Sequence, residues 1–207
     1  MINWKSFVLA LSFICVTGCA PPKAPDTAFK SSEPTQASKA HKKRTAQQVS
    51  SWTIIGAIAA KNKTEAWTAS INWKQNGPDN YQIRLFGPLG GGSMMIEKKH
   101  GIVTYQNAEK RTKSHNADDL MYQQTGIRIP IQNLYYWIRG LPAPGTVQSA
   151  QYEQDDQTKH LSELKQAGYT VKYLNYTTNE DLSLPSKIQV QGPKGNLKII
   201  IKRWKTH

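Results

Sequence analysis

From Ser51 onward the chain alternates. Trp67, Ala69, Ile71 and Trp73 are separated by Thr68, Ser70, Asn72 and Lys74. That period of two suits a half-buried antiparallel strand, in which successive side chains point to opposite faces. After the loop Asn76-Gly77-Pro78-Asp79-Asn80, Tyr81, Ile83 and Leu85 alternate with Gln82 and Arg84, so the two runs form a hairpin. The same pattern predicts strands near 52–60, 93–98, 102–106, 111–115, 148–153, 159–165, 169–176, 186–191 and 197–204. Turn signals stand between them at His100-Gly101, Asp155-Asp156 and Gly192-Pro193-Lys194-Gly195-Asn196. Eleven strands, mostly consecutive, describe an antiparallel meander curled into a barrel or half-barrel.

Residues 116–145 break the alternation and read as helical. Asn116 caps a turn that starts with Asp118 and Asp119, where carboxylates complement the helix dipole, and Gly126 ends it. Pro130 suits the first turn of a second helix carrying Ile131, Leu134 and Ile138 at i, i+3 and i+7, with Trp137 beside them. Gly140-Leu141-Pro142-Ala143-Pro144-Gly145 stops it. An apolar helical pair inserted into a curved sheet is either a plug for the concave face or a lid over a cavity.

The first 47 residues show neither period. Lys5 precedes a mostly apolar stretch from Ser6 to Thr17, too short to cross a hydrocarbon core of ~30 Å as a helix. A basic start, a short apolar run and small residues at its end describe a secretory signal peptide over residues 1–18. Its ending, Val16-Thr17-Gly18-Cys19, resembles the bacterial lipobox, whose cysteine becomes the acylated N-terminus of the mature protein. A thiolate is the natural nucleophile for that alkylation. Two or three acyl chains on Cys19 give stable membrane attachment where one would not. Ala20-Pro21-Pro22 lacks the aspartate that commonly retains such proteins at the inner membrane, which points to the outer membrane, on its periplasmic face. Residues 19–47 are rich in Pro, Ser, Thr, Lys and Ala and read as a flexible tether. The folded domain is then 48–207.

Composition narrows the chemistry. The 207 residues carry 27 Lys+Arg against 14 Asp+Glu, a net charge of +13, and only two cysteines, so there is no disulfide framework. The histidines stand apart, and no nucleophile elbow or convincing carboxylate pair is present, so neither an enzyme nor a metal or cofactor site is expected. Aromatics interleaved with lysines suit single-stranded nucleic acid, but a lipobox takes the chain out of the cytoplasm. The aromatics also fall on the buried phase of the strands. The excess charge matches anionic lipid surfaces or an acidic protein partner better.

Gly87-Pro88-Leu89-Gly90-Gly91-Gly92 is the most unusual local feature. No Gly-Lys-Ser/Thr follows it, and the next segment reads as a strand, so it is not a phosphate loop. Leu89 either folds back on the core or stands out as an apolar prong aimed at the bilayer.

These segments, taken in order, resemble one family. They are Trp52-x₃-Gly56-Ala57-Ile58-Ala59, Trp67-x-Ala69-x-Ile71-x-Trp73-x-Gln75, Tyr81-x-Ile83-x-Leu85-x-Gly87-Pro88-Leu89-Gly90 and Ala117-Asp118-Asp119-Leu120. Gly126-x₂-Ile129-Pro130-Ile131-x₂-Leu134-x₂-Trp137-Ile138-x-Gly140-Leu141-Pro142, Leu184-Pro185-x-Lys187-Ile188 and Ile201-x₂-Trp204 complete the set. The pattern resembles LolB, the outer-membrane lipoprotein receptor of Gram-negative bacteria, from about Trp52 to the C-terminus. The resemblance implies a mainly β fold, an open antiparallel eleven-stranded half-barrel with an inserted helical lid over a hydrophobic cavity. It implies a monomeric receptor that takes acylated lipoproteins from the periplasmic carrier LolA and inserts them into the outer membrane without nucleotide. Its partners are then LolA, the cargo acyl chains and outer-membrane lipids, with no nucleic acid. Leu89 becomes the membrane-inserting residue and Cys19 the lipid attachment site. Trp67, Ile71, Trp73, Ile83, Leu85, Ile199 and Ile201 would line the cavity from the sheet, and Leu134, Trp137 and Ile138 from the lid; plain core packing is the alternative for each. Two departures stand out: Gly87 replaces the Asn of some relatives, and the tether is longer and more basic than the function needs. The rivals are a lipoprotein that binds another lipid or hydrophobic ligand, and a structural envelope-assembly lipoprotein with a closed core.

Overall fold

A computed structural model describes residues 45–88, 92–154 and 158–207. Cys19, Leu89, the Asp155-Asp156 turn and the expected leader lie outside the described residues. Eleven strands form one antiparallel sheet: β1 Ser51–Lys61, β2 Ala66–Asn76, β3 Asn80–Phe86, β4 Ser93–Lys99, β5 Ile102–Gln106, β6 Arg111–Ser114, β7 Val147–Gln154, β8 Lys159–Gln166, β9 Tyr169–Asn179, β10 Leu182–Gly192 and β11 Gly195–Thr206. Two helices, α1 Ala117–Thr125 and α2 Ile131–Trp137, lie between β6 and β7. Ala46–Gln48 form a 3₁₀ turn, and Ala46 is partly buried against the core.

The strand order is β6-β5-β4-β3-β2-β1-β11-β10-β9-β8-β7. The chain therefore starts at the centre, meanders to one edge, crosses to the other edge through the helices, and meanders back until β11 pairs with β1. The sheet is open, with β6 and β7 as its edges, and the helical connection runs from one to the other. Bulges between Ile55 and Gly56 and between Pro185 and Ile188 locally bend and twist the strands.

Alternation sorts the two faces as expected. In β1, Trp52, Ile54, Ile58 and Ala60 are buried while Ile55 and Lys61 are exposed. Trp52 is the hub of the core: its ring centroid lies 5.2 Å from that of Trp73 and 5.6 Å from that of Trp204. β9 and β10 run further than expected because their hairpin continues to Asn179 and Leu182. Pro185 lies within this stretch, where the bulge beside it tolerates a residue without an N–H.

Asn116 caps α1 as anticipated, its Oδ1 accepting from the N–H groups of Asp118 (3.0 Å) and Asp119 (3.1 Å). Gly126 closes the helix in the left-handed region at φ 69°. Helix α2 starts one residue later than expected. Pro130 precedes it, and the N–H of Ile131 donates to Asp118 Oδ1 and to the Ile129 carbonyl, both at 3.0 Å.

Candidate functional site

The inner face of the sheet is not equally covered along its length. On β2, Trp73 and Ile71 are buried, whereas Ala69 and Trp67 are only partly so. Burial fades toward the end of the strand that faces the Gly87–Gly92 loop. Met94 on β4 is likewise half-buried, and pairs with Leu85. Together with Tyr105 on β5, these inner-face side chains bound an apolar recess of about 400 Å³ whose rim includes Pro88, Gly92 and Asn107. That volume lies within the ~300–1,000 Å³ of small-ligand sites. A hydrogen bond of 2.9 Å from Gly87 N–H to the Gly92 carbonyl closes the base of the loop, so the loop and the recess share one end of the sheet.

The expected cavity residues divide into two groups. Trp67 and Leu85 line the recess. Ile71, Trp73, Ile83, Ile199, Ile201, Leu134, Trp137 and Ile138 are packed together in the buried core behind it. Leu85 and Tyr105 belong to both, so the recess floor is the near wall of that core. Ala69, Met94 and Tyr105 were not anticipated as site residues. Ala69 had a signal, since it sits in phase between Trp67 and Ile71. In β5, by contrast, Val103, Thr104 and Tyr105 are all buried, so alternation could not give Tyr105 a face.

The helices close the interior from the other side, and their attachments are uneven. Gln166 is buried and clamps the end of α2: its Oε1 accepts from Trp137 Nε1 (3.0 Å) and Ala143 N–H (2.8 Å), and its Nε2 donates to the Ala143 carbonyl at 2.6 Å. Arg139 is buried with no carboxylate in contact among the described residues. It donates to the carbonyls of Tyr135 and Val49, and its guanidinium lies 4.1 Å from the Tyr135 ring centroid. Burial pulls its pKa below the usual arginine value, with the neighbouring tyrosines opposing the shift. The α1 side is tied more lightly, by Asn62 Nδ2 donating to the Gly126 carbonyl at 2.7 Å. Burial raises the Asp118 carboxyl above its ordinary range, opposed by the Ile131 N–H and by Arg128. The Tyr81 and Tyr173 phenols are raised chiefly by burial as well, consistent with an apolar interior.

Among the described residues, no three His, Cys, Asp or Glu gather as metal ligands. No helix there is long and apolar enough to cross a membrane. The site offers apolar contact rather than reactive groups, and its chemistry is partition.

The family profile for the outer membrane lipoprotein LolB matches residues 50–204. The chain belongs to the LolB family. It is 32% identical over 198 residues to the outer-membrane lipoprotein LolB of Coxiella burnetii, covering 95% of this chain and 90% of that one. To LolB of Nitrosococcus oceani it is 31% identical over 200 residues, covering 95% of both. Among solved structures, a LolA superfamily protein from Nitrosomonas europaea superposes with a TM-score of 0.49 at 10% identity, covering 77% of this chain and 87% of that one. The chain is thus an outer-membrane lipoprotein and a receptor in lipoprotein localisation. LolB proteins are transport receptors, not enzymes.

Proposed function

We propose that the recess between β2, β3, β4 and β5 receives the acyl chains of lipoproteins handed over by the periplasmic carrier LolA, and that this LolB chain delivers them to the outer membrane without nucleotide. The observation that carries the reading is the apolar inner-face recess, backed by core residues and rimmed by Gly87, Pro88 and Gly92. Exposing an acyl chain to water costs ~0.8 kcal/mol per methylene, more than ~10 kcal/mol for a long chain. Cargo must therefore pass between apolar sites directly. Transfer runs downhill if the receptor holds the chains better than the carrier and the bilayer holds them better still. Cys19 is the anchoring residue, and Leu89, next in the chain to Pro88, enters the bilayer at delivery. Leu134, Trp137 and Ile138 on the helical side, and Ile71, Trp73, Ile83, Ile199 and Ile201 on the sheet, are the apolar surface into which a chain extends beyond Trp67 and Leu85.

The deciding experiment mixes a soluble form, lacking residues 1–18 and carrying Cys19→Ala, with LolA loaded with a lipoprotein, and asks by pull-down which protein holds the cargo. Movement to this protein without nucleotide is expected. Retention on the carrier by a folded receptor overturns the reading and favours a different hydrophobic ligand. Leu89→Glu is expected to accept cargo normally but release it to liposomes poorly. Wild-type release from that variant removes Leu89 from delivery.

A further inference from the structure

The outer face of the sheet carries a second apolar surface, and its charge is one-sided. The five central strands, β3, β2, β1, β11 and β10, contain eight Lys or Arg and no Asp or Glu. None of the eight forms an ion pair among the described residues. The pairs that do form, such as Lys98–Asp79 at 2.7 Å and Arg128–Asp119 at 2.8 Å, lie elsewhere. Within this basic field, cross-strand pairing sets Phe86, Ser70, Ala57, Ile200 and Lys187 in one row. Ile55 opposite Arg203 and Ala59 opposite Lys198 occupy the flanking rows. Phe86, Ile200 and Ile55 are 45%, 39% and 38% exposed, large apolar side chains left in water. Small residues beside them leave two shallow hollows, of about 590 Å³ around Ala59, Thr68 and Lys198, and about 390 Å³ around Ala57, Ser70 and Ile200.

Pro88 borders both the second hollow and the inner recess. It forms the ridge over which the two faces of the sheet meet, at the base of the Gly87–Gly92 loop. We propose that this outer face docks on an anionic phospholipid surface, its lysines and arginines meeting the phosphates and Phe86, Ile55 and Ile200 entering the headgroup boundary. Long cationic side chains suit this, since their stems lie on apolar surface while their heads reach the headgroups. A protein partner is less well served. All five strands are interior to the sheet, so their backbone groups are already paired and no edge is free for an added strand. Docking by this face brings the Pro88 ridge, and with it the mouth of the recess, against the bilayer. The inference deepens the delivery reading and rests on it for its purpose, but the two fail separately. Cargo uptake from LolA in solution needs no lipid, and vesicle binding needs no cargo.

The experiment uses the chain without residues 1–18 and with Cys19→Ser, on vesicles of phosphatidylethanolamine mixed with phosphatidylglycerol and on phosphatidylcholine alone. Lys187→Glu/Lys198→Glu/Arg203→Glu is compared with Lys42→Glu/Lys43→Glu/Arg44→Glu, which makes the same change in net charge in the expected tether. Unchanged circular dichroism, and the milder Lys187→Gln/Lys198→Gln/Arg203→Gln, guard against misfolding. The sheet variant is expected to bind the anionic vesicles at least ~10-fold more weakly and the tether variant less than ~3-fold, with little binding of any form to phosphatidylcholine. Equal losses would reduce the effect to bulk charge, and intact binding by the sheet variant would remove the face. Loss of cargo uptake with vesicle binding intact would assign the face to a protein partner. The chain has only two cysteines, Cys15 and Cys19, so Ala57→Cys in this form carries a single polarity-sensitive dye. Its emission should shift to the blue on anionic vesicles, and an unchanged spectrum would overturn direct contact.

Discussion

Gly56 sits where β1 steps across its bulge against β11, paired with Ile201 while Ile55 pairs with Arg203. A Cβ at this position would run into the Ile200 carbonyl, so the missing side chain is what lets the strands close up. The collision is with backbone, which cannot swing aside as a flexible side chain would. Gly56→Ala is therefore expected to destabilise the fold by about 1–3 kcal/mol, the scale of an overpacked core, read as a lower urea midpoint at unchanged slope. A midpoint within error of wild type would mean that the bulge relaxes. Nearby, Trp73 and Gln75 form a polar pair inside the core: Trp73 Nε1 donates to Gln75 Oε1 at 2.7 Å, and Gln75 Nε2 donates to the Gly77 carbonyl at 2.6 Å. The alternation of β2 anticipates Trp73 inside. The buried Gln75 follows the same phase and is tolerated only because both ends of its amide are used.

At the scale of elements, the joint between the helices holds a carboxyl whose titration burial perturbs. Asp118 holds the start of α2 through the Ile131 N–H, yet burial raises its pKa above the ordinary 3.8. The folded state then binds this proton more tightly than the unfolded chain does. That contribution to stability is present below about pH 3.8 and is lost as the pH rises through the raised folded value. Asp118→Asn keeps an Oδ1 acceptor for Ile131 and removes the buried charge. Thermal midpoints followed from about pH 3 to 7 should show the wild type falling relative to the variant as the pH rises, and parallel curves would refute the assignment. The strands were legible because period two survives wherever one face is wet and the other dry, as in β1, β2 and β3. It was weaker at the edge strand β7, where most residues are exposed, and in β5, where three successive residues are buried. There, turn signals and neighbouring strands located the element, and the inner face was not readable.

For the whole molecule, the decisive feature is that the sheet does not close. Among the described residues its edges β6 and β7 do not pair and are joined through the helical segment, so the interior is shut by helices rather than by strand pairing. The uncovered stretch of inner face at Trp67, Ala69 and Met94 becomes the recess. Ala69→Trp places an indole in it from the half-buried stretch of β2, against the Leu85 and Tyr105 floor. Displacing even two methylenes of a bound chain would cost about 1.6 kcal/mol, more than ~10-fold in affinity. A fluorescent fatty-acyl probe should report that loss while the melting temperature stays within about 3 °C of wild type. Unchanged probe affinity would place acyl binding elsewhere on the molecule.

The amino-acid sequence by itself determined the strands, the two helices with their Asn116 and Gly126 boundaries, and the ordered motifs that mark the family. Each is written locally, in alternation, capping chemistry or short spacing. The tertiary structure decided which apolar side chains are packed and which are left at a mouth. Trp67 and Ile71 stand in the same phase of one strand, yet only Trp67 lines the recess. The difference comes from what β4, β5 and the helices lay over each of them, and the periodicity of one strand carries no record of that cover. The same holds for the outer face. Phe86, Ala57 and Ile200 lie far apart in the chain and become one surface only through the register of β3, β2, β1 and β11.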